Sequence, residues 1–213
     1  LRIIPVILDK MFNVADNSGS TTSHNFMYLP IVAPNGTTWL NNNLGAHYSN
    51  VNSLVFNPQQ QASSAVDYNA YGSLFQWNRK PDGHELSNWS SSTTTTYSNT
   101  TTTKADVPTH TNFIISATTS PYEWRVTAGT TTLWTGITAV NNPCPNGFRV
   151  PDSSDFNTAF SGVVTNVATG ASSVFKLTAT GMRYRDNVLT GAGTKGYYAT
   201  TNSMSTYFIN TRS

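Results

Sequence analysis

The sequence predicts an α+β domain built mostly of short strands and long loops, with two short helices. Apolar residues recur at helical spacing in only two places, about residues 67–78 and 153–161. Elsewhere, short β-branched and aromatic runs are punctuated by Gly, Pro, Asn and Ser, the pattern of strands joined by turns. The composition also points to an ordered chain. Of 213 residues 12% are aromatic, too many for a disordered segment, and the length suits one large domain, or one domain plus an arm.

Residues 1–27 read as an N-terminal strand and a polar linker. "LRIIPVIL" (1–8) is β-branched, and Pro5 places it at a sheet edge because it cannot donate to a ladder. Residues 13–25, "NVADNSGSTTSHN", form the linker. The chain starts with Leu, so it is expected to be a processed product or a fragment.

The main domain is expected over 28–213. "FMYLPIVAPNGTTWL" gives two short strands around a Pro-Asn-Gly turn. Tyr71, Leu74, Phe75 and Asn78 recur at i, i+3, i+4 and i+7, which predicts the first helix. Residues 87–112 are a Ser/Thr-rich insertion with no helical period, read as a long exposed loop or extended excursion. After Pro151, Asp152 or Ser153 caps the second helix, Asp155 favours its positive end, and Phe156, Ala159, Phe160 and Val163 line one face. Gly162 marks its end. From "FKLTATGMRY" onward, alternation places Phe175, Leu177 and Ala179 on one face, followed by strands in "GYYATT" and "TYFIN".

The charged fraction is 10% and the net charge +2, while Thr, Ser and Asn supply roughly a third of the chain. A polar but uncharged surface of this kind points to a secreted or cell-surface setting. No Lys/Arg cluster suited to neutralising phosphates is present beyond "MRYRD" (182–186), which argues against nucleic acid. No apolar run approaches the ~18 residues of a membrane span.

The sequence carries no nucleophile elbow, zincin motif, Walker loop or Rossmann glycine pattern, and no enzyme activity, metal or cofactor is expected. His24, His47, His84 and His110 fall at no metal-ligand spacing and are expected at the surface. "KPDGHE" gathers Asp82, His84 and Glu85 in a turn that could hold a cation or hydrogen-bond a ligand, although a self-satisfied turn is the expectation. Trp39, Trp77, Trp124 and Trp134 sit among apolar neighbours and are expected in the core. Trp89 and Tyr97 stand in the Ser/Thr-rich stretch, where exposed rings could stack on sugars or anchor a protein. Arg183, Arg185, Tyr197 and Tyr207 belong to a tail rich in the adaptable chemistry of paratopes. These six are the candidate ligand-binding residues. Asn35, Asn88 and Asn99 fit the N-x-S/T acceptor pattern, and Thr94 and Thr101 are candidate O-linked acceptors. Cys144 is the single cysteine and reads as half of a disulfide.

Four segments in order resemble the Fibrobacter succinogenes major paralogous domain family: "NGTTWLNNNLGA" (35–46), "AYGSLFQWNRKPDGHE" (70–85), "LWTGITAVNNPCPNGFRVPDSSDF" (133–156) and "LTATGMRYRDNVLTGAGTKGYYATT" (177–201). The resemblance covers roughly residues 28–213. It implies a C-type-lectin-like fold, related to the formylglycine-generating-enzyme scaffold. It also implies that Cys144 pairs with a cysteine in a final strand, which this chain does not contain: either the chain is truncated or the strand and the partner cysteine come from elsewhere. Ala199-Thr200-Thr201 stands where the family has Trp-Ser-Ser. The calcium-and-sugar motifs of true lectins and the paired cysteines of the formylglycine enzymes are absent, so the resemblance implies a display scaffold.

The expected function is a non-catalytic, surface-displayed adhesion module that binds a glycan or protein on another cell. The alternatives are a bacterial filament subunit that adds Leu1–Leu8 to a neighbour's sheet, making a homo-oligomer, and a phage fibre receptor-binding tip.

Overall fold

The computed structural model describes residues 4–116, 122–130, 132–202 and 209–210. Its architecture is mixed, with short strands and loops around two α-helices. Six two-stranded ladders hold the described strands. β1 (Ile7–Leu8) pairs antiparallel with β2 (Met27–Tyr28). β3 (Pro30–Val32) and β4 (Thr38–Leu40) form the hairpin expected around Pro34-Asn35-Gly36, where Gly36 adopts φ +84°. β5 (Ser87–Ser91) pairs with β6 (Thr94–Tyr97), and β7 (Thr100–Thr101) runs parallel to β8 (Phe113–Ile114). β9 (Met182–Arg183) pairs with β10 (Leu189–Thr190), and β11 (Lys195–Gly196) with β12 (Ile209–Asn210). No helix among the described residues is long and apolar enough to cross a membrane.

Helix α1 (Ser153–Phe160) forms where its cap and period place it. Asp152 Oδ1 accepts from the Ser154 and Asp155 amides, both at 2.8 Å, and the Asp155 carboxylate accepts from the Asp152 amide. Three donors left open by helix geometry are thereby satisfied. Gly162, at φ +70°, follows the last turn. Phe156, Ala159 and Phe160 pack on Phe175, Leu177 and Ala179, and Trp39 from β4 closes the cluster. Phe175, Leu177 and Ala179 are buried at alternate positions as expected, yet form no ladder. α2 (Val167–Ser172) is an addition: Asn166 and Thr169 build its capping box, but only Val167 supplied a large apolar residue.

The helix expected over 67–78 is corrected to a single 3-10 turn, Tyr68–Ala70. Gly72 has φ +83°, and a Cβ there would lie 2.4 Å from the Leu44 carbonyl oxygen. The following amides bond far along the chain, Ser73 N to Leu44 O and Leu74 N to Glu85 O, both at 2.8 Å. The apolar side chains then divide between two clusters: Tyr71 and Leu74 join Trp89, and Phe75 packs with Trp134. A helix would hold them on one face.

Two further expectations are revised. The strand over residues 1–8 reduces to Ile7–Leu8, with 1–3 outside the described residues. The polar linker over 13–25 is packed rather than free, since Asp16, His24 and Asn25 are buried.

Candidate functional site

Between β4, the 42–44 and 71–77 segments, Trp134, the 143–151 loop, α1 and the 177–183 segment lies a groove of about 700 Å3. Trp39, Leu44, Trp77, Trp134, Phe148 and Phe156 give it an aromatic and aliphatic wall. The indole N–H groups are already used: Trp39 Nε1 donates to Thr37 Oγ1 at 2.8 Å, Trp77 to the Thr200 carbonyl at 2.8 Å, and Trp134 to the Arg79 carbonyl at 3.1 Å. These rings therefore offer the groove carbon rather than hydrogen-bond donors. Of the charged groups at the groove, Arg149 and Asp155 form a two-bonded pair at 2.7 and 3.0 Å. Arg183 donates to Asn187, Ser98 and the Ser98 carbonyl. Arg183 is buried, so the groove offers no exposed unpaired charge.

Cys144 lines the groove and is buried. Burial and the nearby Asp9 charge push its thiol up to about 12, so it stays protonated at neutral pH and is a poor nucleophile.

Behind Phe75 sits a buried charge cluster in which Phe75 meets the His84 ring edge-on at 6.1 Å. Arg79 Nε donates to Asp82 Oδ2 at 2.9 Å, and its Nη1 and Nη2 reach Gln76 Oε1 and the Asn112 and His110 carbonyls. His84 Nε2 accepts the Gln76 amide at 2.9 Å, so the ring proton sits on Nδ1, facing Asp82 Oδ1 at 2.8 Å and Glu85 Oε2 at 3.1 Å. Glu85 Oε1 meets His24 Nε2 at 2.6 Å. Ligand-type atoms of Asp82, His84 and Glu85 lie within 4.8 Å of one another. Each carboxylate has further partners, Asp82 in Arg79 and Glu85 in His24 and the Gly83 amide. The turn satisfies itself, as the sequence predicted. His24 and His84 are buried, however, and their expected surface location is corrected.

Electrostatically the cluster leans on Glu85. Burial opposes its charge, but hydrogen bonds from His24 and His84 outweigh that and hold its carboxyl well below the usual range. Burial also opposes charge on His24, and the Glu85 bond together with the Glu85, Asp9 and Asp16 charges raises it. Asp9 has the opposite balance: burial lifts it to about 6 despite the Met11 amide. Its folded value exceeds its unfolded one, so the stability it contributes is full below about pH 4 and is lost as pH rises through 6. Asp9→Asn is expected to stabilise the protein by roughly 2–3 kcal/mol at pH 7.5 and by almost nothing at pH 4. Urea melts at the two pH values check this, and equal gains at both would contradict it.

Three of the six candidate ligand-binding residues, Trp89, Tyr97 and Arg183, come together, with Trp89 and Arg183 buried. Trp89 is 3% exposed, its Nε1 donating to the Gly72 carbonyl and its ring meeting Tyr71 at 4.9 Å. Tyr97 is half-buried and packs on that cluster, with the Arg183 guanidinium 4.0 Å from its ring and 4.0 Å from Phe113. Tyr197 and Arg183 also line the groove. The expected exposed loop is thus corrected to a hairpin that tucks Trp89 inward. Arg185 lies apart, 4.0 Å over the Tyr122 ring, and Tyr207 lies outside the described residues. Asn35, Asn88, Asn99 and Thr94 are exposed, and Thr101 is partly so. Sequence reasoning placed the groove's Trp residues in the core but missed the cavity between them. It also missed the His24–Glu85 contact, whose partners stand 61 positions apart.

No family model matches the chain, and no curated protein or solved structure shows significant similarity to it.

Proposed function

We propose that this chain is a non-catalytic binding module displayed outside the cell, and that the groove receives an uncharged, largely apolar part of its ligand. The groove itself carries the reading: about 700 Å3 of aromatic and aliphatic wall falls in the range of small-ligand and anchor-residue pockets. The nucleophile and carboxylates nearest to it are protonated or held in internal bonds, which favours binding over chemistry. The low charge and the exposed acceptor-type Asn35, Asn88, Asn99 and Thr94 support a secreted or surface setting. A C-type-lectin-like scaffold of the major paralogous family is part of the proposal. It is supported by the way each matched segment contributes to the interior: Trp39, Arg79 with His84, Trp134 and Leu177.

Trp39, Trp77 and Trp134 make the groove its own reporter. Titration of surface glycans and surface proteins should shift indole fluorescence saturably for a true ligand. Ala199→Asp, at an exposed position on the groove rim, should weaken that ligand by about tenfold or more, because a charge would be desolvated without a partner. Unchanged affinity in this variant would place the binding surface elsewhere.

A further inference from the structure

The groove lies on one part of the surface, and an apolar segment that needs cover lies on another. Ile4, Val6 and Leu8 are exposed at 46%, 54% and 46%. They occupy alternate positions, so an extended backbone carries them on one face. Only Ile7 and Leu8 of this segment enter a ladder, opposite Tyr28 and Met27, and Pro5 has no amide hydrogen to give. None of residues 4–8 lines the groove.

The two surfaces match in charge. Ile4–Leu8 carries none, and the groove's charges are the mutually paired Arg149 and Asp155 and the buried, hydrogen-bonded Arg183, so it offers no exposed unpaired charge. A charged guest would lose hydration with nothing to replace it, whereas an aliphatic one gains by leaving water.

We propose that the groove of one copy takes Ile4–Leu8 of a second copy, joined head to tail. This rests on the groove being a binding site and names its occupant. Five extended residues span at most about 17 Å, so the guest is short. Its tether is fixed as well, because Asp9 N bonds the Phe26 carbonyl at 3.0 Å and Lys10 Nζ the Asn142 carbonyl at 3.0 Å. The neighbour is therefore held close. Donor and acceptor are different patches, so the contact is heterologous and repeats into an open chain of subunits unless its rotation closes a ring.

Cys144 provides the test, as the only cysteine and a groove residue. Ile4→Cys is oxidised with copper–phenanthroline and resolved on non-reducing gels with peptide mass spectrometry. The expected result is a ladder of oligomers in which the new sulfur is bonded to Cys144 of another copy. Adding Cys144→Ala should collapse the ladder to dimers joined through position 4.

Because the Cys144 thiol is buried, sedimentation velocity of the wild type against Val6→Asp is the deciding measurement. Concentration-dependent growth that weakens about tenfold in Val6→Asp supports the proposal whatever the gel shows. A wild type that stays monomeric at high micromolar concentration, or growth indifferent to Val6→Asp, overturns it. If self-association fails while Ala199→Asp still abolishes binding of a glycan or protein, the groove reading survives and its occupant is another molecule. If Ala199→Asp also changes nothing, both fall.

Discussion

Glu85→Ala is expected to destabilise the fold by about 3–5 kcal/mol, the usual cost of removing one partner from a buried ion pair. Glu85 is 1% exposed and accepts from His24, His84 and the Gly83 amide. Alanine leaves two imidazoles and a backbone donor buried without it. For a chain of this length the melting temperature should fall by on the order of 10 °C. The pH dependence separates this role from simple packing. The folded carboxyl titrates below its ordinary value, so its stabilisation is present above about pH 4.5 and is lost as pH falls. Asp9 and His24 run the other way over the same interval, so the test is the difference: between pH 7 and pH 3.5 wild type should lose stability relative to Glu85→Gln by about 1 kcal/mol. Parallel pH profiles in urea melts would show that Glu85 contributes through shape alone.

Arg183→Ala is the second large effect, expected at about 3 kcal/mol or more, because several charge-assisted bonds disappear together. This guanidinium bonds Asn187 Oδ1 at 2.8 Å, Ser98 Oγ at 2.9 Å and the Ser98 carbonyl at 2.8 Å. It is also sandwiched between Tyr97 and Phe113. It thus fastens β9 to the chain just after the β5–β6 hairpin and to β8. Desolvation lowers it to about 10, so it remains charged at working pH. Arg183→Lys should recover little, since an ammonium cannot reproduce the planar fork between two rings. Thermal melts check the size of the loss. Near wild-type stability with selective loss of ligand binding would instead return Arg183 to the ligand-binding set.

What could be read from the sequence was local. Asp152, Asp155, Phe156, Phe160 and Gly162 specify α1 because a helix satisfies its own backbone and its period is short. Pro34-Asn35-Gly36 specifies the β3–β4 hairpin for the same reason. The helix expected over 67–78 had the right spacing, but Gly72 must pass close to the Leu44 carbonyl, a contact no local window contains. Trp89 looked like surface chemistry because its neighbours in sequence are Ser, Thr and Asn, and Arg183 because its tail mixes Tyr, Asn, Ser and Arg. Their neighbours in space are Tyr71, Tyr97 and Phe113.

The sequence by itself determined a mixed α+β chain with α1, the first hairpin and an aromatic core, because these follow from spacing within a dozen residues. Only the tertiary structure decided that Glu85 meets His24, that Arg183 is a buried fastener and that Trp39, Trp77 and Trp134 enclose a groove. Each of those features depends on segments 60 or more positions apart in the chain. Contacts of that range are set by how the whole chain closes, and closure is the property that residue order alone leaves implicit.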